Sequence, residues 1–394
     1  MERAGLYVHV PFCVRKCAYC DFVSYPGREA LHARYVAAVL AELAQRLPVW
    51  TGTRATPVGC LDTLFVGGGT PTSLPTAELC RLIAALRPHL SADAEVTVEA
   101  NPGTVDAVSL DALAQAGVNR LSLGVQSLDD GLLRLLGRVH SAAEAVAACR
   151  AARAAGFENI SLDLMYGLPL QSLAQWRATL EAALALQPEH LSLYALSLEE
   201  GTPLATRVTS GACPAPDDAL AADMYELASA LLDRAGYAHY EISNWARRSP
   251  GDGRDQEALP LLACRHNLGY WRNEPYLGLG VAAHSYIGRE RTANTTDLDD
   301  YLARIADGLP ATVSREATTR DLELAETMML GLRLMVGVTW EAFATRFGAD
   351  LRALYGREIE RLCDEGLLEA DARGIRLTQR GYLLGNRVFG EFLR

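Results

Sequence analysis

Cys13, Cys17 and Cys20 are spaced C-x3-C-x2-C directly after a short β-like run, LYVHV at residues 6–10. Nine cysteines in 394 residues would give such a triplet by chance about 0.005 times per chain, so the spacing marks a built site. Three thiolates on one short loop can hold three irons of a cubane [4Fe–4S] cluster and leave the fourth iron open to a ligand. A zinc ion on the three sulfurs, with His9 as a fourth ligand, is the alternative. Structural zinc sites usually bring two separated ligand pairs, and the spacing favours the cluster. The remaining cysteines, Cys60, Cys80, Cys149, Cys213, Cys264 and Cys363, lack ligand-like spacing and read mostly as small buried apolar residues.

A second motif, FVGGGTPTSL at 65–74, puts three glycines at the end of the next strand-like run. Glycines there let backbone approach a ligand that side chains would obstruct. Glu99 ends a third such run, Gln126 a fourth, and Asp163 lies in a fifth. If these runs are parallel strands, their C-terminal ends share one face, and the polar residues converge on a small-molecule site beside the cysteines.

The elements that must position them alternate. LYVHV (6–10), LDTLFVG (61–67), EVTVEA (95–100), RLSLGVQ (120–126), NISLDLMYG (159–167) and HLSLYALS (190–197) read as strands. Helical patterns lie between them, near 29–47, 76–90, 105–116, 129–155 and 172–186. Strand and helix in alternation specify right-handed crossovers and a parallel sheet. The expected fold class is α/β, a partial (β/α)6 barrel, with a doubly wound open sheet as the alternative. The expected division is a barrel at 1–240, a linker region at 241–319 with a surface insertion at 247–260, and a mostly helical, winged-helix-like domain at 320–394. That last segment holds 11 basic and 12 acidic residues, which favours a packing lid over a DNA-binding unit.

Composition narrows the chemistry further. With 49% hydrophobic and 22% charged residues the chain is globular, and 48 acidic against 37 basic residues give a net charge of −11. That excess argues against a nucleic-acid partner. Lys16 is the only lysine and sits between two cysteines, which removes a pyridoxal-phosphate Schiff base and a Walker-type phosphate lysine. The first residues, MERAGLYVHVPFC, show no basic stretch followed by an apolar one, and no uncharged apolar run reaches ~18 residues. A cytoplasmic protein with reduced cysteines is expected.

C-x3-C-x2-C with an aromatic before the third cysteine, GGGTP, VEANPG (98–103), GVQS (124–127), DLMYGLP (163–169) and HNLGYW (266–271) together resemble one family. It is the radical S-adenosylmethionine proteins related to the oxygen-independent coproporphyrinogen oxidases, and within it the haem-chaperone branch. The likeness runs along nearly the whole chain. It implies Cys13, Cys17 and Cys20 as ligands of a [4Fe–4S] cluster. Tyr7, Gly68, Gly69, Thr70, Glu99, Gln126, Arg138 and Asp163 are implied around S-adenosylmethionine. In such proteins reductive cleavage of the sulfonium yields a 5′-deoxyadenosyl radical.

Two departures from the oxidases bear on function. Their fourth cysteine, two positions after the third, is Phe22 here, and this chain reaches its cluster motif by residue 13 without their N-terminal extension. Both lower the odds of coproporphyrinogen decarboxylation. With the resemblance in hand, HNLGYW makes His266 an axial haem-ligand candidate, with Tyr270 and Trp271 as rings able to pack on a porphyrin. His284 and Cys264 are secondary candidates. The expected function is a haem chaperone that carries the cluster, S-adenosylmethionine and haem. It would deliver haem to an acceptor protein such as a membrane-bound respiratory enzyme, and a homodimer is weighed. The alternatives are a radical enzyme acting on a porphyrin, or a related methyltransferase or cyclopropanase, and, least favoured, a scaffold with an incidental metal site.

Overall fold

All six expected strands form. In the computed structural model, which describes residues 4–53, 61–249 and 259–393, the chain opens with β1, Gly5–Val10, and α1, His32–Thr53. There follow β2 (Leu61–Gly68), α2 (Thr76–Leu86), β3 (Leu90–Ala100), α3 (Ala107–Gln115) and β4 (Arg120–Gln126). Then come α4 (Asp130–Leu136), α5 (Ala142–Ala154), β5 (Ile160–Tyr166), α6 (Leu173–Ala185) and β6 (His190–Ala195).

Each strand from β1 to β6 pairs in parallel with the next in sequence, as with Leu6 opposite Leu64 and Leu162 opposite Leu191. That unbroken order is the winding of a barrel, whereas a doubly wound sheet reverses at a switch point. The partial barrel is therefore the architecture found. Parallel strands are buried on both faces. Leu6, Val8, Val10, Val96, Val98, Leu121 and Leu123 are fully inaccessible, each contributing about 1.5–3 kcal/mol by leaving water. Since side chains alternate between faces, Tyr7 and His9, Thr97 and Glu99, and Ser161 and Asp163 take the opposite face from these apolar residues.

Capping boxes start three of the helices, pairing Asp106 with Ser109, Ser141 with Glu144 and Ser172 with Gln175. The single helix expected over 129–155 is two. Gly137, at φ 73°, ends α4 in the left-handed region that glycine enters at little cost, and Ser141 starts α5. Arg138 lies in the break.

Further along are α7 (Pro203–Thr209), α8 (Asp218–Arg234), β7 (Tyr237–Glu241), β8 (Asn244–Arg247) and α9 (Arg265–Trp271). Next are β9 (Tyr276–Leu279), β10 (His284–Ile287), β11 (Glu290–Asn294), α10 (Leu298–Ala306) and β12 (Thr312–Ala317). The chain divides into two compact units, Met1–Leu231 with Pro275–Glu316, and Leu232–Glu274 with Ala317–Arg394. This division is discontinuous, unlike the three consecutive segments expected, and it splits the stretch read as a linker. β9 adds in parallel to the free edge of β1, and β10, β11 and β12 extend the sheet outward. A buried carboxylate clamps this addition to α1. Glu42 accepts from Gly280 N at 2.7 Å, Asn294 Nδ2 at 2.6 Å and Tyr301 Oη at 2.8 Å.

The second unit holds the hairpin of β7 and β8, α9, and the C-terminal helices α11 (Arg320–Gly331), α12 (Trp340–Phe347) and α13 (Leu351–Asp364). Leu324, Met328, Phe343, Leu351, Leu362 and Ile375 form its core. A small antiparallel sheet of residues 338–339, 374–377 and 368–370 supplies the wing expected of this segment. Cys60 and most of the surface insertion expected at 247–260 lie outside the described residues. Among the described residues no helix is long and apolar enough to cross a membrane.

Candidate cluster and cofactor site

The three cysteines lie on the loop leaving β1, all half-buried with free thiols. Cys13 Sγ is 3.5 Å from Thr70 Oγ1, and Arg138 Nη1 donates to Cys17 Sγ at 3.3 Å. Burial pushes the Cys13 and Cys20 thiols up. The charge of Cys17 raises both further, while Arg138 draws Cys13 down and Lys16 draws Cys20 down. The thiols thus stand within electrostatic reach of one another, with two cations to offset thiolate charge. Among the described residues no three His, Cys, Asp or Glu side chains are grouped around a single-ion position. Three thiols on one loop, with Arg138 and Lys16 in reach, are a donor set that fits a cubane, which takes one thiolate per iron. Arg138 Nε, buried without an acceptor among the described residues, is a further cationic donor for an anionic ligand. His9, weighed as a zinc ligand, is committed elsewhere: Nε2 donates to Val23 O at 2.8 Å and Nδ1 accepts from Tyr7 Oη at 3.0 Å. Burial holds it below its usual pKa, as the neutral tautomer this pattern needs.

The glycine loop closes on these groups, and each glycine has a different neighbour. A Cβ on Gly67 would fall 2.9 Å from Glu99 Oε2, one on Gly68 2.5 Å from the His9 ring, and one on Gly69 2.7 Å from Phe12 O and 3.1 Å from Cys13 Sγ. Gly68 also has φ +109°, outside the usual range of L side chains. Gly68→Ala is expected to cost more stability than the ~1–2 kcal/mol of a left-handed alanine alone. Gly156→Ala shares a positive φ but meets nothing within 4 Å. Thermal denaturation of both variants, with S-adenosylmethionine titration, checks this: only Gly68→Ala should lose cofactor affinity as well.

Glu99 accepts from Gly68 N at 3.1 Å and Arg138 Nη2 donates to Gly124 O at 2.6 Å, so β3, β4 and the break after α4 meet around the glycine loop. Gln126 ends β4 with φ 64°, a strained conformation of the kind found where side chains serve a ligand. Asp163 accepts from Ser122 Oγ at 3.1 Å and from Ser161 Oγ at 3.4 Å. Its pKa is raised by burial and drawn back by Ser192, Arg120 and the other serines. Glu99 is pushed up to about 8 by desolvation and by the charge of Asp163. Folded Glu99 therefore keeps a proton that the unfolded chain releases near pH 4.5. The ligand-free protein is expected to lose stability as pH rises from about 4.5 to about 8. Denaturation midpoints across that window test it, and Glu99→Gln should flatten the slope.

Of the expected cofactor residues of the first unit, Gly68, Glu99 and Gln126 lie at strand ends and Gly69 and Thr70 on the loop after β2, whereas Tyr7 and Asp163 stand within β1 and β5 and Arg138 lies in the break between α4 and α5. Sequence reading did not assign a role to Tyr19, Arg120, Ser122, Ser161 or Ser192. Tyr19 packs against Leu132, Leu136, Met165 and Leu168 and acts on Arg138, and its place inside the cysteine motif was its one signal. The serines follow the alternation of their strands, a pattern equally common in structural positions.

His266 belongs to the second unit. It is 4% exposed, and its Nε2 lies 2.9 Å from Tyr270 Oη, one helical turn on. Cys264 is fully buried, whereas His284, in the first unit, is exposed.

An in-order parallel barrel with three cysteines after its first strand and glycine backbone against Cys13 agrees with the class that the comparisons give the first unit, a radical S-adenosylmethionine domain. The family model of the radical SAM superfamily matches residues 7–183, and that of the HemN C-terminal domain matches residues 319–384. A Bacillus subtilis protein named heme chaperone HemW is 39% identical over 98% of this chain and 98% of its own. A Mycobacterium tuberculosis protein of the same name is 38% identical over 99% and 94%. The solved coproporphyrinogen III oxidase HemN of Escherichia coli, a radical SAM enzyme, has a TM-score of 0.82 at 26% identity, covering 99% of this chain and 90% of that one. This chain belongs to the HemW family of radical SAM proteins. Membership implies a [4Fe–4S] cluster and S-adenosylmethionine.

Proposed function

We propose that this protein binds haem and delivers it to an acceptor protein in the cytoplasm, the acceptor being a membrane-bound respiratory enzyme. The observation that carries the reading is the full-length likeness to proteins named heme chaperone, through the barrel and the C-terminal unit alike. Phe22, 63% exposed where the oxidases have their fourth cysteine, supports a carrier over a decarboxylase. The likeness of fold to a coproporphyrinogen oxidase keeps a porphyrin-directed radical enzyme as the second reading.

Cys13, Cys17 and Cys20 would hold the cluster, which when bound supplies one-electron chemistry and an open iron. Around S-adenosylmethionine, Glu99 and the glycine loop would meet the amino group, Arg138 the carboxylate and Asp163 the ribose hydroxyls. Tyr7, which donates to His9, would fix the floor, and Thr70 and Gln126 would complete the wall. A homodimer is part of the proposal, and nucleic acid is not.

His266 is proposed as the haem ligand. Coordination through Nε2 requires exchange of the Tyr270 hydrogen bond for iron, which sets up a two-sided test. His266→Ala should lower haem affinity and shift the haem spectrum with iron–sulfur content unchanged. Tyr270→Phe removes a competing bond that contributes about 0.5–1.5 kcal/mol and should raise affinity up to about tenfold. An unaltered spectrum and affinity in His266→Ala would remove the residue from the haem site and move the assignment to His284 or Cys264.

A further inference from the structure

Arg333 follows α11 in the second unit, and its guanidinium makes no side-chain hydrogen bond among the described residues. It lies 4.5 Å from the Trp271 ring centroid and 5.8 Å from that of Phe389. Arg333 Nε is buried without an acceptor, and so is Trp271 Nε1. Buried donors are seldom left unpaired, and two on stacked side chains point to an acceptor that arrives with a ligand. Glu241 is the carboxylate whose charge reaches Arg333. It accepts instead from Asn244 Nδ2 and Ser243 N, and makes no ion pair with the guanidinium.

We propose that Arg333 and Trp271 form a carboxylate-binding site whose occupant is a propionate of haem. A guanidinium flanked by aromatic faces presents a planar fork of donors, and a carboxylate is the anion that matches it. Trp271 closes the helix on which His266 is the second residue, and five residues of helix advance about 7.5 Å. A porphyrin anchored near one end of α9 can therefore reach the other. Burial disfavours the charge on Arg333, and an arriving carboxylate restores the balance. The inference rests on the haem-binding reading above.

The test compares haem with haem dimethyl ester, which keeps the iron and macrocycle but carries no propionate charge. Wild-type protein should bind haem about 10- to 100-fold tighter than the ester. Arg333→Gln should bring haem down to the ester's level and leave ester affinity unchanged. Trp271→Phe, which keeps an aromatic face but removes the indole N–H, should lose part of the preference. Thermal midpoints and iron–sulfur content of both variants check that they fold. Haem binding with no preference over the ester, or a preference that survives Arg333→Gln, overturns this site and leaves the haem reading intact, the retained preference then assigning the carboxylate to other residues. A wild-type protein that binds neither porphyrin overturns the haem reading and this site with it.

Discussion

Alanine at Cys13, Cys17 or Cys20 is expected to abolish the broad thiolate-to-iron absorption of the reconstituted protein. On the proposed assignment each cysteine would be the sole protein ligand to one iron of a cubane, so no neighbouring thiol could replace it without moving the loop. The loop has little freedom to move. Cys13 touches Thr70, Cys17 accepts from Arg138, Ala18 N donates to Leu136 O at 2.9 Å, and Val23 O accepts from His9. Cys363 lies in the other unit and Cys149 is buried in α5, so alanine at either should leave the cluster intact. Iron and sulfide analysis after anaerobic reconstitution reads the result. Full content in all three loop variants would refute the cluster assignment.

Asp163→Ala is expected to weaken S-adenosylmethionine binding by roughly 10- to 150-fold, the worth of one charge-assisted hydrogen bond at about 1.5–3 kcal/mol. The serines around Asp163 hold its carboxylate in one orientation, and Arg120 favours its charge. A fixed charge of this kind loses little freedom on binding ribose hydroxyls. Removing it also takes from Arg120 a carboxylate whose charge it favours, so stability should fall as well. Asp163→Asn separates the effects, since it keeps the shape and can still accept from the serines. Calorimetry showing unchanged cofactor affinity in both variants would recast Asp163 as a structural carboxylate.

Much of the barrel was legible because parallel strands buried on both faces read as apolar runs, and β1 to β6 are such runs bounded by glycine, proline or capping residues. The candidate cluster loop stood out for a different reason: three thiols at one spacing have few other uses. What the sequence concealed is instructive. A helical periodicity over 129–155 runs straight through Gly137, yet a left-handed glycine there turns the chain and sets Arg138 beside Cys17. β9 to β12 are four to six residues long and carry no sustained alternation, and only pairing with the edge of β1 makes strands of them. Nor can periodicity show that residues 232–274 join residues 317–394 in one unit, because that contact is distant in sequence. The serines about Asp163 and the proton on Glu99 depend on which strands become neighbours, a property of topology rather than of local spacing.

The most direct measurement of the central proposal is a haem titration of the anaerobically reconstituted protein, run in parallel with an assay of 5′-deoxyadenosine release. Reductant and S-adenosylmethionine are present in both, with coproporphyrinogen added in a separate arm. A haem carrier should bind haem saturably through its absorption spectrum and release no deoxyadenosine in response to coproporphyrinogen. Deoxyadenosine formed in proportion to coproporphyrinogen consumed, with no saturable haem binding, would contradict the carrier reading and identify the protein as a porphyrin-directed radical enzyme.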